Sequence, residues 1–532
     1  MRKHKANKLY NTLQISVCKQ MFVLLTLVIF FYSCKSSSKI DKIVIDKSIT
    51  YQTIEGFGAS DAWRCQFVGE NWSSDKKEKI AELLFSKALD NNGNPKGIGL
   101  SIWRFYIGAG TKEQGDASEI KNEWRRAESF VDEAGNYDWN KQKGQQWFLN
   151  KAKQYDVDKF LAFSISAPVQ WTLNGKGYNG DSKTGDINLQ PDKFDDYAQF
   201  MVDVVNHFKT KNIFFDYLSP INEPQWDWEK KTQEGTPATN NDILMISKLL
   251  NNKLEESNLS TEIVIGESAD LRWLYSDYGK PERGNQIDYF FKENKGVKNL
   301  KNTISGHSYF TTWPVDSLIG IRQKLNTKLK EQNLDYWQSE FCILEKTDDI
   351  GGGSKRDLSM DTALYVARVI HADLTLANAS SWQWWTAISN ADYKDGLIYI
   401  DTGNKNDLFN LDAMKLNGEF HDSKLLWAFG NYSKFVRPEM KRIEIGLESN
   451  YKKLKESYGD VILSAYIDEN TSKLVVVAIN YGDKNKTIDV SDCQIEYKYE
   501  TSKDKNLELE KVINKEIILN RRTISTLIGS VL

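Results

Sequence analysis

Histidine and cysteine are both scarce in this chain of 532 residues, five of each, and basic runs are absent. The histidines stand at 4, 207, 307, 371 and 421, too scattered for a histidine metal cluster. No metal and no cofactor is expected. The cysteines lack the regular spacing of a disulfide framework, and Cys65, Cys342 and Cys493 read as buried free thiols. Formal net charge is −3; the first 33 residues hold five basic side chains and no acid, which leaves the remainder near −8. A mildly acidic body without basic runs offers no footprint for nucleic acid. No internal repeat or low-complexity tract stands out. Tryptophan, by contrast, is abundant. Sixteen of them serve a thick core, and tryptophan also builds platforms on which sugar rings stack.

The N-terminus reads as a leader. Residues 1–20 are basic and polar, and Met21–Tyr32 is an apolar run broken only by Thr26. That run is too short for a permanent bilayer span and suits a secretory signal. Ser33-Cys34 follows, then Lys35-Ser36-Ser37-Ser38-Lys39 as a tether. The arrangement resembles a bacterial lipoprotein signal, with Cys34 as the lipid-modified N-terminus. It implies export across the inner membrane of a Gram-negative cell and a membrane anchor, displayed in the outer membrane or the periplasm. Ordinary cleavage near the same place is the alternative.

Two segments carry the chemistry. Ile213–Leu218 is an apolar run followed by Ser219-Pro220-Ile221-Asn222-Glu223-Pro224-Gln225-Trp226. The prolines remove two N–H donors and stop a helix, which puts Glu223 at a strand end beside an amide and near Trp226 and Trp228. A carboxyl group in such surroundings can have its pKa raised for general acid work. Downstream, Leu334–Phe341 is again strand-like and again presents a carboxylate, Glu340, near its end. Two carboxylates on two strand ends are what glycosidic cleavage needs.

Strand–helix pairs can be counted around them. Strands are expected at 54–60, 98–107, 159–166, up to Glu223, 262–267, 303–307, up to Glu340, and 380–385. Helices are expected near 75–90, 140–155, 191–209, 240–257, 286–294, 315–331, 358–377 and 422–433. Eight such units predict a (β/α)8 TIM barrel with its site at the strands' C-terminal ends. The count puts Trp63, Arg104, Trp171, Asn222, Glu223, His307, Tyr309, Glu340 and Trp384 there. Glu267 and Asp270 are weaker carboxylate candidates. From about Phe435 the pattern turns to short strands at 461–467, 473–480, 494–499, 516–519 and 525–528, a small all-β module.

These motifs bring a family into view. Asn222-Glu223-Pro224 and Glu340 resemble the clan of retaining glycoside hydrolases built on a (β/α)8 barrel. Gly56-Phe57-Gly58-Ala59-Ser60, Arg104 and Trp382-Gln383-Trp384-Trp385 are similar to glycoside hydrolase family 30, over roughly residues 41–532. The resemblance implies a side-associated β-sandwich completed by the N-terminal strand. The expected division is a signal at 1–33, a tether at 34–40, a sandwich strand at 41–54, the barrel at 55–434 and the sandwich at 435–532. The sandwich part contains no tryptophan, which favours a structural role over glycan binding.

The resemblance also implies Glu340 as nucleophile, Glu223 as acid/base, Arg104 beside the nucleophile and Asn222 on the sugar 2-OH. A buried Arg104 would help keep its carboxylate ionised, and could equally be a structural ion pair. Tyr309 is placed to hydrogen-bond the nucleophile, and His307 either joins it or satisfies the core. Trp171, Trp226 and Trp384 are either stacking surfaces or core. The reading is therefore a secreted, monomeric retaining β-glycosidase acting on a glycan, with Gln233-Glu234-Gly235-Thr236-Pro237 resembling members active on β-1,6-linked glucan or galactan. A β-xylanase or an exo-acting β-glycosidase stands beside it, as does a non-catalytic glycan-binding lipoprotein.

Overall fold

The computed structural model describes residues 40–180, 184–292, 295–449 and 453–531; the leader and Cys34 lie outside them. Thirteen residues, Asp41–Thr53, form the first strand, β1. The barrel follows: β2 (Gly56–Ser60), β3 (Ile102–Ile107), β4 (Lys159–Ser164), β5 (Tyr217–Ser219), β6 (Glu262–Ser268), β7 (Leu300–His307), β8 (Asp335–Glu340) and β9 (Ala379–Ser389). Each pairs in parallel with the next, and β9 pairs with both β8 and β2, which closes the ring. The TIM barrel expected from eight strand–helix pairs is thus the observed fold.

Alternation along the strands sorts the core. Trp103 and Phe105 of β3 point outward, where they meet Phe85, Phe148 and Phe208 of the surrounding helices. Ile102, Leu161, Tyr217, Val264 and Trp337 form a separate apolar cluster, one residue from each of five strands. Two residues on from three of them come Arg104, Ser219 and Ser339, on the same faces. The barrel is oil below and charge above.

Two short strands extend the sheet: β10 (Gly396–Asp401) runs parallel to β9, and β11 (Glu419–Asp422) antiparallel to β10. The remaining strands are β12 (Lys441–Leu447), β13 (Val461–Asp468), β14 (Lys473–Asn480), β15 (Lys486–Asp489), β16 (Cys493–Thr501), β17 (Glu508–Lys511), β18 (Glu516–Leu519) and β19 (Thr523–Val531). With β1 they make a nine-stranded sheet in the order β17-β16-β19-β14-β13-β12-β1-β15-β18. Leu474, Val476 and Ala478 of β14 face a core internal to this layer, with Ile43 of β1. Val475, Val477 and Ile479 face the barrel's core. A strand buried on both faces reads as an unbroken apolar run. The helices Met360–Leu376 and Lys424–Ser433 lie between sheet and barrel, which is why nearly every position of each is buried.

Candidate active site

At the C-terminal mouth of the barrel, six ionisable side chains meet in one network. Arg104 of β3 donates from Nη1 to Oε2 of Glu340 at 2.6 Å, and from Nη2 to Asn222 Oδ1 at 3.1 Å and Glu267 Oε2 at 3.3 Å. His307 ends β7 and bridges two carboxylates, with Nδ1 2.9 Å from Glu223 Oε1 and Nε2 2.9 Å from Glu267 Oε2. Its Nδ1 is also 3.6 Å from Glu340 Oε1. Tyr309 donates its hydroxyl to Glu340 at 3.0 Å. All of these side chains are buried.

The strand ends are irregular, and that irregularity aims the side chains. Glu223 lies four residues past β5 with φ +47°, and its N–H donates to the Glu267 carbonyl at 2.9 Å. Its own carbonyl accepts from Trp226 N and Trp228 Nε1, both at 3.1 Å. The β6–β7 register slips between Ile265 and Ser268, where Gly266 and Glu267 take positive φ. The slip turns Glu267 inward, as a bulge re-aims a side chain. Glu267 was only a weak candidate in the sequence; here it is the hub that Arg104, His307, Ser219 and Ser339 all reach. Asp270 instead pairs with Arg272.

Electrostatics divides the three carboxyls. Burial opposes ionisation of Glu267, but Arg104, His307 and Ser339 outweigh it and hold its pKa at about 2. Burial likewise opposes charging His307, yet Glu340, Glu223 and Glu267 lift it to about 10, so both ring nitrogens carry protons and donate. Glu223 moves the other way: burial raises its pKa, with repulsion from Glu340 adding to the shift and His307 and Arg104 opposing it. Two cations facing three carboxyls balance once Glu223 is protonated. One oxygen each of Glu223 and Glu340 and a ring nitrogen of His307 lie within 4.8 Å of one another, a spacing a metal ion could also use. In this network His307 sets its own positive charge at that place. A protonated carboxyl facing an ion-paired carboxylate can protonate a leaving oxygen while the other attacks the carbon it leaves.

The network floors a cleft of about 550 Å3. Asn222, Glu223, Trp226, Tyr309 and Glu340 line it, together with Arg125, Trp228, Gln233, Trp385, Tyr393 and Asp395. Trp171 and Trp384 do not line it. Trp171 packs edge-on against Phe200, while Trp384 stacks near Trp382 and donates Nε1 to the Asp395 carbonyl at 2.8 Å. Along β9 the residues alternate, so Trp385, not Trp384, turns to the cleft, where it meets Trp63 at 5.4 Å. Arg125, absent from the sequence reading, comes from the long segment after β3 and donates to Gln233 at 3.0 Å. Glu234, beside Gln233, is fully buried and accepts from Tyr106 Oη, Ala109 N, and Thr111 N and Oγ1, stapling that wall to the barrel.

Comparison with known proteins adds the following. Residues 40–399 match the sequence model described as O-Glycosyl hydrolase family 30. The structure is similar to that of a conserved exported protein from Bacteroides fragilis, 38% identical, with a TM-score of 0.86 covering 92% of this chain and all of that one. It shares its fold with the catalytic domain of xylanase C from Talaromyces cellulolyticus, 20% identical, TM-score 0.64, covering 92% of this chain and 100% of the other. A putative glucosylceramidase 1 from Caenorhabditis elegans is 24% identical over 460 residues, 83% of this chain and 76% of that protein.

Proposed function

The chain belongs to O-glycosyl hydrolase family 30, and from that premise we propose that it is a retaining β-glycoside hydrolase acting on a polysaccharide or oligosaccharide. The carrying observation is the pair of Glu223 and Glu340, with oxygens within 4.8 Å of each other. Retaining enzymes separate their carboxyl groups by roughly 5–5.5 Å, whereas inverting ones leave roughly 6.5–9.5 Å for a water.

Glu340 attacks the anomeric carbon while Glu223 gives its proton to the glycosidic oxygen. The carbon–oxygen bond breaks, the leaving chain departs with that proton, and the sugar stays esterified to Glu340. That ester no longer carries the charge that helps raise Glu223, so Glu223 becomes a better-matched base for water. Water then adds to the anomeric carbon and Glu340 is released. Asn222, oriented by Arg104 at 3.1 Å, is offered to the sugar 2-OH. The linkage we favour is β-1,6, on the likeness of Gln233–Pro237 to members acting on such chains, with Gln233 in the cleft wall. Incubation with a panel of β-glycans, read as new reducing ends, tests activity and linkage. Proton NMR of early product should show the β-anomer first; early α-anomer would sink the mechanism.

Export is inferred from the apolar run before Cys34 and from similarity to an exported protein. Lipid attachment at Cys34 predicts that the protein partitions with membranes and that Cys34→Ala releases it. Unchanged partitioning of that variant removes the anchor.

A further inference from the structure

Four aromatic side chains gather beside the cleft, outside the reacting network. Trp226 follows β5, Trp273 lies on the short helix Arg272–Tyr275 after β6 with Tyr278 just beyond it, and Phe310 follows β7. Trp226 meets Trp273 at 5.7 Å and Phe310 at 6.0 Å, both edge-to-face, and Trp273 meets Tyr278 at 5.8 Å. The rings hold each other upright. Arg272, fixed by Asp270, caps Tyr278 at 4.2 Å and reaches the Phe310 carbonyl at 3.5 Å.

Three of these rings are exposed, and Trp273 is buried beneath them as their support. Trp226 is 37% exposed, Phe310 39% and Tyr278 47%. A contiguous exposed apolar patch of this kind marks a binding surface. Only Trp226 of the four lines the cleft, so the patch continues the cleft outward.

Direction follows from the barrel. Trp385 lies in β9, and Trp63 and Arg125 come from segments after β2 and β3; the aromatic group comes from segments after β5, β6 and β7. In a closed ring of eight strands those two sets stand on opposite sides of the mouth. The first side is walled by Arg125, Trp385 and Asp395, with Gln233 reaching Arg125 from the segment after β5. The second carries Glu223, the group that hands its proton to the departing oxygen in the proposed mechanism. Resting on that reading, we infer that Trp226, Phe310, Trp273 and Tyr278 form a subsite for the leaving portion of a glycan chain. The enzyme then favours substrates that continue past the scissile bond. A sugar ring gives such a shelf a C–H face to stack on.

The test uses the glycan that the reducing-end panel finds active, as oligosaccharides of two to six residues, and the matching β-glycosyl fluoride. The fluoride fills the reacting position and leaves the shelf empty. For the wild type, KM should fall as the oligosaccharide lengthens. For Phe310→Ala and Tyr278→Ala, the ratio of kcat/KM on oligosaccharide to that on fluoride should drop by about three- to tenfold each, mostly through KM. Equal losses on both substrates would make the rings structural and overturn the shelf, as would an unchanged ratio. The octyl β-glycoside of the same sugar is assayed beside them; a ratio to fluoride that falls for it alone would put a lipid tail there and overturn the glycan assignment. A panel without any active glycan would fail the hydrolase reading itself, a separate result.

Discussion

At the scale of single residues, Glu340 and Glu223 differ in what they touch, and so should their variants. Glu340 sits in an ion pair with Arg104 at 2.6 Å and accepts from Tyr309. Glu340→Ala should abolish turnover on every substrate, since no glycosyl-enzyme forms. Glu223→Ala should slow hydrolysis of natural glycans by about 10²–10⁴-fold but still permit glycosylation by an aryl glycoside, whose leaving group needs no proton. Added azide should then speed turnover. Burial raises the Glu223 pKa, and the protonated form is the active one, so the wild-type rate should fall as pH rises through that pKa. Loss of this basic limb in Glu223→Ala is the check; a limb that persists assigns it elsewhere. Arg104, Asn222, Glu223, His307, Tyr309 and Glu340 were nameable from sequence because each is close to a strand end. Glu267 was under-ranked because the bulge that turns it inward leaves no mark in the pattern of apolar residues.

At the scale of elements, the staple at Glu234 is the feature to perturb. It joins the Gln233 wall to the start of the segment that carries Arg125, using four donors and no ion pair. Burial raises its pKa from 4.5 to about 7. A carboxyl raised on folding contributes stability that is fully present below about pH 4.5 and lost as pH climbs through about 7. The displacement corresponds to about 3 kcal/mol. Thermal unfolding of wild type and Glu234→Gln at pH 5 and pH 8 should show a smaller pH dependence in the variant; parallel curves would rule the staple out as the titrating group. Long elements were legible, since parallel barrel strands read as apolar runs and their helices follow at regular spacing. The short strands β11, β15 and β17 were not. Glu419–Asp422 and Glu508–Lys511 are mostly polar, as suits strands paired on one side only, and Lys486–Asp489, though flanked by β1 and β18, is four residues long with a single apolar side chain.

At the scale of the whole molecule, the nine-stranded sheet is part of the barrel's surface rather than an appendage. Tyr466, Val475, Val477, Ile479 and Ile524 belong to the same buried cluster as the barrel helices. Ending the chain after Phe435 should therefore expose apolar area worth about 25 cal/mol per Å2, and the product should aggregate. A soluble, fully active barrel from that truncation, seen by size-exclusion chromatography and assay, would contradict the arrangement. The sequence announced the barrel and the late run of strands. It also pointed to β1 as a member of the second layer, but only through family resemblance, because a half-alternating strand does not name its partner.

That partnership has a consequence in time. Thr53 of β1 pairs with Lys441 of β12, and Gly56 of β2 with Ser381 of β9, so each layer depends on a pairing between segments far apart in the chain. The strand that leaves the ribosome first waits for nearly the last part of the chain before it has a neighbour. Contacts so distant in sequence slow folding, and the barrel's seam cannot close before β9 has been made, nor the β1–β12 pairing form before β12 has.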